Sequence, residues 1–431
     1  MEIAQLHQIF LNSNGITTDT RNIKDGQIFF ALKGDNFNGN KFALQALNKG
    51  ASYAVIDENE YSNERDQIIL FNNVLETLQK LANYHRRYLK LPILAITGSN
   101  GKTTSKELIH AVLKRKFETN ATVGNLNNHI GVPLTLLSMK STTEFGIVEM
   151  GANHPREIEN LCKIAEPDFG YITNFGKAHL EGFGSVEGVI KAKSELYDFL
   201  NANNKLLFIN TDDPIQFKQI TASRNFTFGT SIEADVQIEY LENNKVATIK
   251  ADSEEYTSKL TGSYNAINIA AAVSIGKFFE VSIESMQKAI ADYKSSNNRS
   301  QIVQIGTSTL IMDAYNANPT SMTAALSSFH KHPANRKIVI LGDMFELGKS
   351  SREEHDTIIK LLKDLNFEKN FLVGQNFYDS TISNSKVIKS KSFEDLADIV
   401  KLEDLHDTHI LVKGSRGMAL ERILEVLKNR K

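Results

Sequence analysis

Four apolar residues and a threonine, Ile93-Leu94-Ala95-Ile96-Thr97, run directly into Gly98-Ser99-Asn100-Gly101-Lys102-Thr103-Thr104. So short an apolar run, bounded by glycine, reads as a buried strand, and the pattern from Thr103 onward reads as a helix. Strand, glycine loop and helix together commit the chain to α/β layers, because the helix must carry it back to start a parallel neighbour. The loop also implies a ligand. Its glycines let backbone N–H groups turn towards one anion, and the helix N-terminus adds partial positive charge. Lys102 is placed to neutralise β/γ-phosphate oxygens, and the Thr103 hydroxyl to ligate Mg²⁺. The spacing is a short Gly-x-x-Gly-Lys-Thr-Thr form, since the longer phosphate loop would need glycine where Ile96 stands. A glycine turn with a surface lysine is the plain alternative, and the strand–helix context weighs against it.

Short β-rich runs alternate with helical patterns through most of the 431 residues, and at roughly 150 residues per domain this implies three α/β domains. We expect boundaries at 1–88, 89–296 and 297–431. Pro92 marks the first, and the polar cluster Lys294-Ser295-Ser296-Asn297-Asn298 reads as the second linker. The first stretch is the least regular. It offers a strand over Gln27–Leu32, a Gly/Asn-rich loop over Lys33–Gly39 and an amphipathic helix over Leu75–Leu89. Strands then follow at Phe145–Met150, Phe169–Asn174 and Leu206–Asn210. A hairpin is expected around Glu242-Asn243-Asn244, from Val236–Tyr240 into Lys245–Lys250, and a helix over Asn265–Phe279. The last unit carries strands at Thr309–Met312, Ile338–Leu341, Asn370–Val373 and His409–Val412.

Composition excludes several classes. With 49 basic against 51 acidic residues, the chain lacks the broad positive field of a nucleic-acid binder. It has no 18-residue apolar run, so no membrane span is expected, and its N-terminus does not read as a signal peptide. The single cysteine, Cys162, rules out an internal disulfide and a cysteine metal cluster, and reads as a buried helix thiol. A soluble, cytoplasmic, multidomain protein is the expectation.

Three downstream residues suit the chemistry of a nucleotide phosphate. Glu149 ends an apolar strand, where a carboxylate points into the crevice in which parallel α/β sheets bind ligands; a solvated strand-end carboxylate is the alternative. His179 follows another strand, and alone would more often be structural. Lys193 is more informative. On a helix over Gly188–Leu200, Val189, Leu196 and Leu200 fall within about 20° of one direction. Lys193 lies about 40° from Val189 and Lys191 on the opposite face. An inward lysine is desolvated and favours its neutral amine, which can bond an anion or react with CO₂ to form a carbamate; a snorkelling lysine is the alternative.

Taken together these segments resemble the Mur ligase family, the ATP-dependent amide-forming enzymes of bacterial cell-wall precursor synthesis, over nearly the whole chain. The resemblance implies an N-terminal UDP-sugar-binding α/β domain, a central P-loop ATPase-like domain with a mostly parallel sheet, and a C-terminal Rossmann-like domain. It makes Gly98, Ser99, Asn100, Gly101, Lys102, Thr103 and Thr104 the ATP loop. Thr103 and Glu149 would serve one Mg²⁺, and His179 with a carbamylated Lys193 a second. Ala192-Lys193-Ser194-Glu195-Leu196 resembles the carbamylated segment, Tyr264–Ala271 the helix whose asparagine (here Asn268) contacts adenine, and Arg299 the arginine that reaches the γ-phosphate. Lys102, Lys193, His179 and Arg299 become the implied catalytic set.

Four further segments, Gly124–Pro133, Asp313–Met322, Leu341–Gly348 and Val412–Gly417, resemble the branch that adds D-alanyl-D-alanine to a UDP-N-acetylmuramoyl-tripeptide. The resemblance places Asp19, Thr20 and Arg21 on the UDP-sugar, and Asn125, Asn127, Asn128, Asn316 and Asn318 on the substrates, Asn318 being remote in sequence from the nucleotide motifs. For Asn125–Asn128 a self-bonded turn remains open. For Tyr315–Ser321 a helix cap and a carboxylate site can both hold. Lys413-Gly414-Ser415-Arg416 either binds a carboxylate or caps a helix; His154 and His355 acquire no role. The implied reaction passes a γ-phosphoryl group to a peptide carboxylate, which the dipeptide amine then attacks. A monomer is expected. Another Mur-type or folylpolyglutamate synthase-like ligase, or a nucleotide-switched binding protein, are the competing readings.

Overall fold

Three largely parallel sheets, one in each of three domains, organise the computed structural model, which describes residues 1–62, 65–220, 224–241, 246–295, 297–382 and 385–429. The first sheet orders Ile16–Thr17, Ile28–Phe30, Tyr53–Ile56 and Ile68–Leu70, every pair parallel. Its strands are two to four residues long, too short for a period to register, which is why this stretch reads as irregular. Helix Val74–Leu89 begins where the Asn73 side chain accepts from Glu76 N at 2.8 Å and ends at Lys90 in the left-handed region. It fastens the first domain to the second. Arg86 pairs with Asp168 at 2.7 Å, and the Asn83 amide donates to Ile164 O at 3.0 Å. Leu78 and Leu81 share one apolar core with Ile93, Val189 and Leu196 of the central domain.

The central sheet has nine strands among the described residues. From Thr119–Ala121 through Phe145–Glu149, Ile93–Thr97, Phe169–Ile172, Leu206–Asn210, Asn225–Gly229 and Val236–Leu241 all pairs are parallel. Thr248–Ala251 and Glu254–Thr257 complete it as an antiparallel meander. The register Ile96↔Glu149 and Thr97↔Ile172 brings three strand ends to one edge. The expected turn Glu242-Asn243-Asn244 falls on 242–245, outside the described residues, but the strands around it pair as a hairpin requires. Cys162 is buried in helix Glu157–Ala165, and burial pushes its thiol far up and out of reactive range.

The third sheet orders Gln301–Ile305, Ser308–Asp313, Thr408–Lys413, Arg336–Gly342, Lys369–Val373 and Val387–Ser390. Only its first pair is antiparallel. Among the described residues no helix is long and apolar enough to cross a membrane.

Candidate active site

A cleft of about 880 Å³ opens where the central sheet's strand ends face the third domain. The glycine loop forms one wall. Gly98 and Gly101 adopt φ of 138° and 80°, and a side chain on either would collide with Thr173 Oγ1 (2.0 Å) or Asn268 Oδ1 (2.7 Å). The neighbouring strand's exit holds the loop in shape. Ser99 N donates to Asn174 O, Asn100 N to Asn174 Oδ1, and Thr173 Oγ1 to Asn100 O. Helix Lys102–Leu113 then starts with no side-chain cap, leaving first-turn N–H groups open towards an anion. The Lys102 ammonium donates to Gly98 O at 2.7 Å. Burial lowers its pKa, with Arg299 adding to the effect and Glu149 opposing it.

Glu149 is only 1% exposed. Its Oε1 accepts from Thr103 Oγ1 at 3.2 Å and from Asn127 Nδ2 at 2.9 Å. Its Oε2 is buried without a hydrogen-bond partner, and the nearest cation, Lys106 Nζ, stands 3.9 Å off. A carboxylate oxygen shut away beside a hydroxyl is a donor set suited to a hard cation. No group of three or more His, Cys, Asp or Glu converges on a metal position among the described residues. A cation at Glu149 therefore needs further oxygens from hydroxyl, phosphate and water.

His179 lies on the cleft, at the start of the short helix Leu180–Phe183, and its Nδ1 meets a carboxylate oxygen of Glu346 of the third domain. Contact with His179 lowers the Glu346 pKa. Lys193 behaves as its helical phase requires: it is 1% exposed on helix Val186–Ala202, while Lys191 is exposed. Its Nζ donates to Ala152 O at 3.1 Å and lies 5.2 Å from the Phe183 ring centre. Burial, reinforced by Lys102, holds its pKa well below the usual range. It stands behind Ala152, which lines the cleft; Lys193 itself does not.

Asn268 lines the cleft with its amide already engaged, accepting from Ser105 Oγ at 3.0 Å and donating to Asn265 Oδ1 at 2.9 Å. Arg299 enters from the third domain's first loop. Its guanidinium is stacked 3.7 Å from the Tyr315 ring centre, with Arg416 more distant at 5.7 Å. Asn125, Asn127 and Asn128 all line the cleft. Asn128 Oδ1 accepts from Ile130 N and Gly131 N, so the turn reading holds for it. Asn127 bonds Glu149 instead of its own backbone.

On the opposite wall, Asn316 Oδ1 accepts from Ala317 N, and Asn318 caps helix Pro319–Lys331 by accepting from Ser321 N at 2.9 Å. The cap reading of this block is thus realised, on the cleft. Although remote in sequence from the nucleotide motifs, Asn318 meets the loop in space: its Nδ2 donates to Asn100 Oδ1 at 2.7 Å. Lys413 is tied to Asp313 at 2.6 Å, across registered strand ends. Asp19, Thr20 and Arg21 do not line this cleft. Arg21 clasps the Asp19 carboxylate at 2.8 Å and holds its pKa down to about 2.

Several residues here were not singled out from sequence. Lys106 is buried and donates to Thr122 O at 2.6 Å, while Thr122 Oγ1 accepts from Glu149 N at 2.9 Å. Its signal was present, since Lys106 sits three residues after Thr103 and shares its side of the helix. Thr173 and Asn174 shape the loop and Glu346 meets His179, contacts that no local pattern announces.

The comparisons agree with this geometry. The chain matches the models of the Mur ligase family catalytic domain over 12–86, the Mur ligase middle domain over 96–276, and the Mur ligase glutamate ligase domain over 298–416. It is 33% identical over 432 residues to the UDP-N-acetylmuramoyl-tripeptide–D-alanyl-D-alanine ligase of Bacillus subtilis (strain 168), covering 96% of this chain and 93% of that one. Crystal structure I of MurF from Acinetobacter baumannii superposes with a TM-score of 0.87 at 28% identity, over 99% of this chain and 98% of that one. The MurF ligase from Thermotoga maritima in complex with ADP superposes at 0.85 and 27% identity, over 98% of each chain.

Proposed function

The chain belongs to the Mur ligase family, and from that premise we propose that it joins D-alanyl-D-alanine to a UDP-N-acetylmuramoyl-tripeptide at the expense of ATP, in peptidoglycan precursor synthesis. One observation supports this most: a single cleft has an uncapped glycine-loop helix on one wall and an asparagine-capped helix of another domain on the other. Such a cleft can hold a nucleotide and an amine acceptor together and exclude water between them.

In this reading residues 1–88 hold the UDP-sugar, with Asp19, Thr20 and Arg21 at its nucleotide, 89–296 hold ATP, and 297–431 bring the dipeptide. The loop N–H groups and Lys102 bind the β/γ-phosphates, and Asn268 borders the base. Arg299 stabilises charge on the phosphoryl group as it passes to the peptide carboxylate. Thr103 and Glu149 would hold Mg²⁺, which neutralises phosphate charge and orients the transferred group. His179 and Lys193 would serve a second Mg²⁺, with Lys193, buried and neutral, as the residue that takes up CO₂ as a carbamate. Asn125, Asn127 and Asn316 then present amides to the sugar–peptide and the dipeptide.

Incubating the purified chain with ATP, Mg²⁺, the UDP-linked tripeptide and D-alanyl-D-alanine, and reading phosphate release and product mass, tests the proposal. A product heavier by one dipeptide is expected. Phosphate release with glutamate and a folate would favour the folylpolyglutamate synthase-like reading. Hydrolysis independent of any acceptor would favour a nucleotide switch.

A further inference from the structure

We infer that Asn318 of the third domain is a positioning residue for the phosphate loop, acting through Asn100. This rests on reading that loop as the nucleotide site, and extends it to how a second domain controls it.

The chemistry of the donors orders the chain of bonds. Ser321 N can only donate, so the Asn318 atom 2.9 Å from it is Oδ1. The other end of that amide is Nδ2, which can only donate, so the Asn100 atom 2.7 Å away is Oδ1. The helix cap thereby fixes Asn318, and Asn318 fixes Asn100. The backbone of Asn100 is already locked by Asn174 and by Thr173, which leaves its side chain as a rotor in this turn of the loop. That rotor has little room. Its Nδ2 is buried without a partner, and a methyl group on Gly176 would come within 2.8 Å of it. The amide is wedged between Gly176 and Asn318, immediately before Gly101 and the uncapped helix start.

Removing the Asn318 donor frees that wedge without undocking the domain. Lys177 N still donates to Thr320 Oγ1 at 3.0 Å, Lys177 Nζ still pairs with Glu354 at 2.6 Å, and His179 still meets Glu346. A loop organised in advance binds phosphate more tightly, because less ordering is left for the ligand to impose. By linkage, nucleotide binding must then favour the docked third domain by the same factor.

Asn318→Ser is the informative change, since serine keeps the cap but is too short to reach Asn100. Isothermal titration of the full chain with ADP and with a non-hydrolysable ATP analogue, both with Mg²⁺, should show affinity weakened roughly three- to tenfold. In an Asn100→Ala background, Asn318→Ser should cost nothing further. In turnover, KM for ATP should rise by more than KM for the dipeptide. Additive losses, or a loss confined to the dipeptide KM, would overturn the inference. Because titration needs no acceptor, a wild-type chain that binds nucleotide but makes no dipeptide product would sink the proposed reaction and leave this coupling standing. A wild-type chain that binds no nucleotide would sink both.

Discussion

His7 donates from Nε2 to His85 Nδ1 across 3.0 Å, and His85 donates from Nε2 to Met139 O at 2.9 Å. The carbonyl can only accept, so His85 carries a proton on Nε2; in the neutral ring its Nδ1 is then a lone pair, which His7 fills. The relay ties the first helix, Ile3–Leu11, through helix Val74–Leu89 to the central domain, and it runs in this direction when His85 is neutral, the state that its burial favours.

Stability should therefore be lost in mild acid. Burial, with His85 beside it, lowers the His7 pKa from 6.5 to about 4, and burial lowers His85 as well. Between those values the unfolded chain holds more protons than the folded one, so stability rises with pH and falls on acidification from 6.5 towards 4. The shift at His7 corresponds to on the order of 3 kcal/mol. Melting temperature measured across that window should drop more steeply for the wild type than for His7→Phe. Parallel slopes would exclude the relay as the cause.

Legibility in the sequence followed the range of the interaction. Lys193 could be oriented because helical period alone sets the direction of a side chain, and Glu149 because a strand end in a parallel sheet has one edge to occupy. Asn318 could not be connected to Asn100. They lie 218 residues apart, in different domains, and meet only through docking. The first sheet was hidden for the opposite reason, its strands being too short to carry a pattern. Lys106 carries the same sequence signal as Lys193, a lysine on the buried side of a helix.

Glu149→Gln should abolish phosphate release while leaving the melting temperature within a few degrees. The amide keeps the shape and can still accept from Thr103 and Asn127, but it replaces the unpartnered anionic Oε2 with a donor. A loss above a hundredfold at saturating ATP is expected if that oxygen holds the cation. Turnover near wild type, measured over a Mg²⁺ series, would move the cation elsewhere.

The two lysines of one helix should have opposite fates. Lys193→Ala should lose nearly all ligation, whereas the exposed Lys191 should be dispensable as Lys191→Ala. Enzyme equilibrated with ¹³C-bicarbonate should give a carbamate resonance that disappears in Lys193→Ala only. Its persistence there would place the carbamate on another amine.

Tyr315 should matter through its ring and not its hydroxyl. Arg299 is flanked by Asn298 and Ser300, both left-handed at φ of 56° and 52°, so its backbone is held in a costly shape. Tyr315 N donates to Asn298 O and Ser300 N to Asp313 Oδ1, each at 3.2 Å, which fixes the main chain. The guanidinium itself is steadied by the aromatic face 3.7 Å away. Its charge reaches the phosphate loop, where it helps lower the Lys102 pKa. Losing a stacked cation–ring contact costs about 0.5–2 kcal/mol, which corresponds to roughly two- to thirtyfold in KM for ATP. Tyr315→Leu should show that loss, and Tyr315→Phe should stay within about twofold of wild type because the ring remains. Steady-state ATP titrations of both variants decide the matter. Equal impairment in the two would mean that the phenol oxygen, and not the stacking face, is what the site uses.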